Sequence, residues 1–562
     1  MLNQKSIPYF SKLKTFFENI DKNKLFIILL SIIVVFAALV RFYKLDQLPM
    51  GYNLDEAGMA YDSWALANWR VNRNMMHLPV YLPNTGGGQS VLYAYLSAGL
   101  IFIFGMSKFI IRTPAVIFGL MTIIFASLIT KEALGKKAGL ISAFMIAIMP
   151  YFIMASRLGF DCNLFLGMST LSIYLTIVAI KKQKFPFWIL AGLSWGVTLY
   201  TYILSYIAIP IFITLTIIYL LIIKKINWRQ TLVFGLAILA LAWPLIILII
   251  INHFDLPPVY SRFFYIPKLT IWRAGELSGV NFFERLIDLP KTLFIIPDQD
   301  TEAFITSHGT MYNFTPIFII TGTIMFCIQG FKSLRKKKFS TNVLLTFWVI
   351  AMLVLVFTLD DIMNYRLNAF YFVLAYGLVF ILTWLANKFL KHWQNLFYIF
   401  VVIIFLFSFS SFAHSYFVKQ PLAGFPSLHF GDTFSEPLSY LDDWLNDRGY
   451  SSSDFQIYLD EKYIYYYLGA LTPPQEVDLT KDQMREVNYQ NFHFEWLPEN
   501  NTEGLPYVPS KINTEDIFII KNNRSSYIEK LINYGFTPIY QNLRYTIYLD
   551  EHNFLPIPGQ QN

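Results

Sequence analysis

Apolar residues recur along this chain in runs of 16–22 residues, from Leu25 to Phe412, separated by short polar turns. A run of that length crosses a hydrocarbon core of about 30 Å as a helix. Runs at 25–42, 109–130, 138–156, 162–180, 186–204, 206–223, 231–251, 313–331, 341–358, 367–386 and 394–412 predict eleven transmembrane helices. Val91–Gly105 stands apart. It has 15 residues and is broken by Ser97 and Gly99, which predicts a re-entrant or interfacial helix. Beyond residue 413 the pattern shortens. Apolar and aromatic stretches at 455–459, 463–468, 517–520 and 545–549 alternate with turn residues and helical patterns, predicting a small α/β domain. The expected fold class is a polytopic α-helical membrane protein of about eleven spans. It has interfacial helices in its first outside loop and a C-terminal α/β domain. The chain divides into an N-terminal segment (1–24), a membrane domain (25–413) and a tail (414–562).

Composition agrees. The chain is 55% hydrophobic and only 14% charged, with a mean hydropathy of +0.46; soluble domains carry about a quarter charged residues. The two cysteines, Cys162 and Cys327, lie at the edges of apolar runs without metal-ligand spacing. They read as small buried hydrophobes. Basic residues precede Leu25–Val40 and no small-residue cleavage site follows, so this run reads as an uncleaved first span.

Charge then assigns the sides. Alternate connections hold 21 basic residues, among them Lys131, Lys136, Lys181, Lys224, Lys332, Arg335 and Lys388. The short loops opposite hold two, Arg157 and Arg366. The positive-inside rule places the rich side in the cytoplasm. Segments 43–108, 157–161, 252–312 and 359–366 then face outward, as does the tail, which has 10 Lys/Arg against 20 Asp/Glu. The expected location is the cell membrane, with the N-terminus cytoplasmic. The basic clusters read as topology determinants, with no nucleic-acid partner.

The outward segments carry the candidate chemistry. Asp55-Glu56 follows Gly51-Tyr-Asn-Leu in a long loop rich in glycine and aromatic residues, which continues with Tyr61-Asp62. An acidic pair at a helix start is either a capping feature or a reactive one. Arg157 and Asp161 lie in Ser156-Arg157-Leu-Gly-Phe-Asp161-Cys-Asn163, and Arg366 in Asp360-Asp361-Ile-Met-Asn364-Tyr365-Arg366. A guanidinium at headgroup depth suits a lipid phosphate; snorkelling or an ion pair is the alternative. His308 lies in Thr306-Ser307-His308-Gly309 and is a further donor to phosphate or sugar. Tyr200, Tyr202 and Tyr206 fit an interfacial aromatic belt. Tyr61 and Tyr202 are also counted as donor-binding candidates.

In order along the chain, "RFYKLDQLP", "GYNLDEA", "KFIIRTPAVIFGLMT", "ASRLGFDCN", "GLSWGVTLYTYILSY" and "SHGTMYNFTPIFIITG" resemble the GT-C superfamily of polytopic glycosyltransferases. That superfamily includes the protein O-mannosyltransferases and lipid A aminoarabinose transferases. The resemblance implies a sugar donor carried on polyprenyl phosphate and a lipid, polymer or protein acceptor in the envelope. It implies Asp55 as catalytic base with Glu56 as its acidic neighbour, and Arg157, Asp161 and His308 as motif residues. Glu56 or Asp161 would orient Asp55 or help hold a divalent cation, although the basic reaction needs no metal. Two other classes remain open at this stage: a transporter or flippase for a lipid-linked substrate, and a membrane scaffold whose acidic tail binds a partner.

Overall fold

The computed structural model describes residues 21–49, 51–84, 88–269, 282–295, 308–419, 435–460, 486–495, 513–542 and 544–554, together with Leu468 and 473–474. The tail stretch expected at 463–468 falls outside these except for Leu468, as do the lysines before residue 21. Among the described residues, nine helices are long and apolar enough to cross a membrane. The chain is a multi-pass membrane protein.

In order, the helices are α1 (Lys22–Phe42), α2 (Leu54–Trp69), α3 (Leu92–Phe104), α4 (Lys108–Leu134), α5 (Lys136–Ile148), α6 (Pro150–Ala155) and α7 (Cys162–Lys182). They continue with α8 (Phe185–Thr198), α9 (Ser205–Ile222), α10 (Trp228–His253), α11 (Phe282–Pro290), α12 (Pro316–Arg335), α13 (Thr341–Thr358), α14 (Tyr371–Phe389) and α15 (Gln394–His414). Two expected spans differ from simple helices. The run 138–156 is interrupted at Met149, between α5 and α6, and the run 186–204 is helical only to Thr198. Helix α3 has 13 residues and leaves Phe102, Ile103 and Phe104 exposed, as suits the interfacial role expected of Val91–Gly105.

The interruption has a local cause. Pro150 has no N–H, so the Ile146 carbonyl loses its helical donor. The Tyr151 N–H, due to Ala147, instead reaches the Thr310 carbonyl at 2.8 Å. Buried carbonyls without donors cost several kcal/mol each in an apolar surround (order of magnitude). Arg41, fully buried, restores both: it donates to Ile146 O at 3.1 Å and to Ala147 O at 3.0 Å. The Tyr312 hydroxyl donates to Ile148 O at 2.7 Å.

Helices α12 and α14 meet backbone to backbone. A Cβ at Gly322 would stand 1.9 Å from the Gly377 carbonyl oxygen, so this crossing admits only glycine. The lysine-rich turns gather at the end of the bundle away from Asp55. There Lys181 pairs with Glu132, Lys137 donates to Asn395 at 3.0 Å, and the Tyr219 hydroxyl donates to Lys338 O at 2.6 Å.

The tail forms a six-stranded mixed sheet from β1 (Ile457–Leu459), β2 (Glu486–Tyr489), β3 (Phe492–Glu495), β4 (Ile517–Lys521), β5 (Thr537–Gln541) and β6 (Tyr545–Leu549), ordered β2-β3-β1-β4-β6-β5, with β1 parallel to both β3 and β4. Alternation in β4 divides the faces. Phe518 and Ile520 pack with Tyr527 and Leu531 of the helix Ser525–Asn533. Ile517 and Ile519 pack toward Leu441 and Leu445 of the helix Ser435–Asn446, in one apolar cluster with Ala57, Tyr61 and Ala65 of α2. The tail domain therefore rests on the helix that begins with the acidic pair.

Candidate active site

Helix α2 starts where the Asn53 side chain accepts the Asp55 N–H at 3.0 Å, an ordinary N-cap. Successive residues on a helix point about 100° apart. The acidic pair is divided accordingly: Asp55 is half-buried and Glu56 fully buried.

Glu56 faces inward. Arg112, at the start of α4, donates Nε to Oε1 at 2.8 Å and Nη2 to Oε2 at 2.9 Å, and the Gly159 N–H reaches Oε1 at 2.8 Å. The same guanidinium donates to the carbonyls of Leu45 (3.1 Å), Pro49 (2.8 Å) and Gly51 (2.6 Å). Glu56 thus fastens the loop between α1 and α2. The carboxylate expected as a second catalytic acid or cation ligand is here held at both oxygens by protein N–H groups.

Asp55 faces a different side of the helix and is half-buried. Asn84, just beyond the strand Tyr81–Leu82, donates Nδ2 to Asp55 Oδ1 at 2.8 Å. Gln89 Nε2 donates to the Asp55 carbonyl at 3.2 Å. The next residue, Ser90, gives its N–H to Asp161 Oδ2 at 2.8 Å. Asp161 also accepts the Cys162 N–H at 2.7 Å, at the start of α7. The Gln89–Ser90 strand therefore links the two aspartates.

Around Asp161 stand two more of the expected residues. The Tyr202 hydroxyl is buried within electrostatic reach of both Asp161 and Arg366. Arg366 is half-buried, and its Nη1 donates to Asp361 O at 3.3 Å. Asn368 Nδ2 donates to Asn163 Oδ1 at 2.8 Å and ties the Arg366 segment to the start of α7. Asp55, Asp161, Tyr202 and Arg366 thus share one end of the bundle with convergent ties.

Three further expected residues lie apart from this group. Arg157 is fully buried; it donates to Arg41 O (2.6 Å), Lys44 O (3.1 Å) and Leu48 O (3.0 Å) and lies 5.1 Å from the Phe417 ring centroid. Its guanidinium caps the C-terminal end of α1. Tyr61 is fully buried in the apolar cluster under the tail domain. His308 meets Ser411 Oγ of α15 through Nε2 at 2.9 Å and Phe412 edge-on at 6.0 Å. Partial burial lowers the proton affinity of its imidazole below the usual histidine value.

Sequence reading passed over Arg112, Asn84 and Arg73. Arg112 stood inside the expected span 109–130, and an ionised residue at such a place is by default paired. Asn84 and Arg73 gave no comparable signal. No group of three or more His, Cys, Asp or Glu side chains is placed to hold a metal ion among the described residues.

A family profile described as dolichyl-phosphate-mannose-protein mannosyltransferase matches residues 88–250. By sequence, no curated protein matches the chain significantly. The structure is similar to that of ArnT from Cupriavidus metallidurans in the apo state, with a TM-score of 0.54 at 12% identity over 94% of this chain and 99% of that one. The same enzyme bound to undecaprenyl phosphate gives 0.51 at 13% identity, with the same coverage. The archaeal oligosaccharyltransferase AglB from Archaeoglobus fulgidus, in complex with an inhibitory peptide and a dolichol-phosphate, gives 0.47 at 16% identity over 69% of this chain and 56% of that one.

Proposed function

We propose that this chain, which has the fold of the GT-C polytopic glycosyltransferases, is an inverting glycosyltransferase. It would move a sugar from polyprenyl phosphate to a cell-envelope acceptor at the outer membrane face. The observation that carries the reading is the half-buried Asp55 carboxylate, fixed through one oxygen by Asn84 and joined through Gln89–Ser90 to Asp161. The outward assignment rests on the clustering of the lysine-rich turns at the opposite end.

In this reading the acceptor hydroxyl gives its proton to Asp55 as its oxygen attacks the anomeric carbon. The bond from that carbon to the phosphate oxygen breaks on the far side, and polyprenyl phosphate leaves. Attack opposite the leaving group inverts the centre. A base acts on a proton at hydrogen-bond distance, which calls for a carboxylate held in one orientation. Arg366 offsets the charge that grows on the departing phosphate, with Tyr202 and Asp161 at the same end of the bundle. None of these steps draws on a metal ion.

The test uses the full-length protein in nanodiscs, a panel of undecaprenyl-phosphate hexoses and pentoses, and an envelope fraction as acceptor. Release of undecaprenyl phosphate is the readout. Asp55→Asn should lower turnover by about 10²–10⁴-fold, the usual contribution of a general base, with the folded yield unchanged. Turnover near that of the parent protein ends the assignment. Lipid-linked sugar that crosses proteoliposomes without transfer would restore the transport reading.

A further inference from the structure

We propose that Asn84 is the positioning residue of Asp55, and that the Asp62–Arg73 pair sets its orientation. This rests on Asp55 being the base of the proposed transfer.

The four side chains form one line. Asp62 is fully buried and receives Arg73 Nε at 3.1 Å, Nη2 at 2.8 Å and the Arg73 N–H at 2.8 Å. Arg73, itself buried, turns Nη1 onto Asn84 Oδ1 at 3.0 Å. Asn84, also buried, gives Nδ2 to Asp55 Oδ1 at 2.8 Å. A guanidinium only donates and a carboxylate only accepts. The amide between them therefore has a single workable orientation, oxygen to Arg73 and nitrogen to Asp55. Oδ2 accepts no hydrogen bond from the described residues.

The arrangement keeps a cation one step away from the base. Bound directly to Asp55, Arg73 would occupy the oxygen that must take the proton. Held by Asp62, it delivers only a polarised amide. Space for it is built into α2: a Cβ on Gly58 would lie 2.3 Å from Arg73 Nη2. Asp62 lies one helical turn beyond Gly58, so α2 carries the base, the gap for the arginine and the arginine's partner in order.

The informative variant is Asn84→Asp. It keeps the volume of the side chain and still accepts from Arg73, but it has no N–H for Asp55. With the best undecaprenyl-phosphate sugar of the panel, kcat should fall about 10²-fold, as expected for a misplaced reacting group. KM for the donor should stay at the parent value, while the thermal midpoint falls because the new carboxylate is buried against Asp55. Asn84→Gln, which retains both donor and acceptor, should recover part of the loss. Arg73→Lys provides the second reading, because lysine keeps an ion pair with Asp62 but loses the fork that reaches Asn84. It should lower kcat about tenfold at unaltered KM. Parent-like kcat in Asn84→Asp or in Arg73→Lys overturns the inference. If Asp55→Asn abolishes transfer while these variants do not, the positioning network fails and the transfer reading stands. If Asp55→Asn itself retains transfer, the reading beneath both is wrong.

Discussion

Arg112 grips Glu56 with two parallel N–H groups, at 2.8 and 2.9 Å, where neither side chain is exposed. Removing one partner of such a pair leaves an uncompensated buried charge and typically costs about 3–5 kcal/mol. Glu56→Gln should therefore lower the thermal midpoint and the folded yield in detergent. Any protein that folds should keep most of its turnover. Arg112→Ala should be more severe, because it also strips donors from the carbonyls of Leu45, Pro49 and Gly51. A Glu56→Gln protein with the parent midpoint but little turnover would return Glu56 to the chemistry.

Gly58 supplies a second test of the same helix. Alanine is the better helix former by about 1 kcal/mol, so an exposed glycine would gain stability from Gly58→Ala. Here the new methyl group meets Arg73 Nη2 at 2.3 Å. The expected outcome is the opposite of the helix-propensity rule: a lower melting temperature, together with loss of turnover. Circular dichroism melts of the purified variant decide the sign.

How far the sequence reached depends on which physics each residue obeys. The spans were legible because crossing a hydrocarbon core demands length and apolarity, which any run displays. The position of Asp55 was legible because a loop motif displays it. The fates of Glu56 and Arg157 were not legible. Each depends on a partner about 56 and 116 residues away along the chain, and no local pattern announces such a pairing. The break at Met149 was readable in principle from Pro150 within an apolar run. The rescue of its carbonyls by Arg41, more than 100 residues earlier, was not. Asn84 was hidden for another reason: an asparagine in a polar loop is common, and only its place between Arg73 and Asp55 gives it meaning.

Arg157 makes a direct contrast between two readings of one residue. As a phosphate ligand, its loss would raise the donor KM. As a cap on the carbonyls of Arg41, Lys44 and Leu48, its loss should lower stability and leave KM alone. Arg157→Lys keeps the charge but cannot span three carbonyls. It should melt at a lower temperature with an unchanged KM for the undecaprenyl-phosphate sugar. Arg366→Ala should do the reverse, raising KM about tenfold or more at a parent-like midpoint, since the loss of a hydrogen bond to a charged group costs about 1.5–3 kcal/mol.

His308 gives a pH signature. Partial burial lowers its affinity for a proton below the ordinary value of 6.5. Below that value the unfolded chain takes up a proton before the folded one, so stability is complete above about pH 6.5 and declines as pH falls. Thermal midpoints measured between pH 7.5 and 5 should drop in the parent protein. The drop should be shallower in His308→Gln, which keeps a polar group near Ser411 without titrating. Because the ring is partly solvated the difference will be small, and identical slopes would remove His308 as its source.

Tyr61 tests whether the tail domain supports the site. Its ring is fully buried in the cluster that joins Ala57 and Ala65 of α2 to Leu441, Leu445 and the sheet. Tyr61 lies on the same helix as Asp55, so this contact connects the tail to the base. Truncating a buried aromatic typically costs about 3–5 kcal/mol, which Tyr61→Ala would lose at the junction and not inside either domain. The expected outcome is a separate, earlier unfolding step of residues 435–554 in hydrogen exchange, with faster exchange at the first turn of α2. Turnover should fall with KM little changed, because the base is then less well held. Tyr61→Phe keeps the ring and should retain most of the docking. If Tyr61→Ala leaves both exchange and turnover as they were, the tail domain folds beside the membrane domain without steadying Asp55.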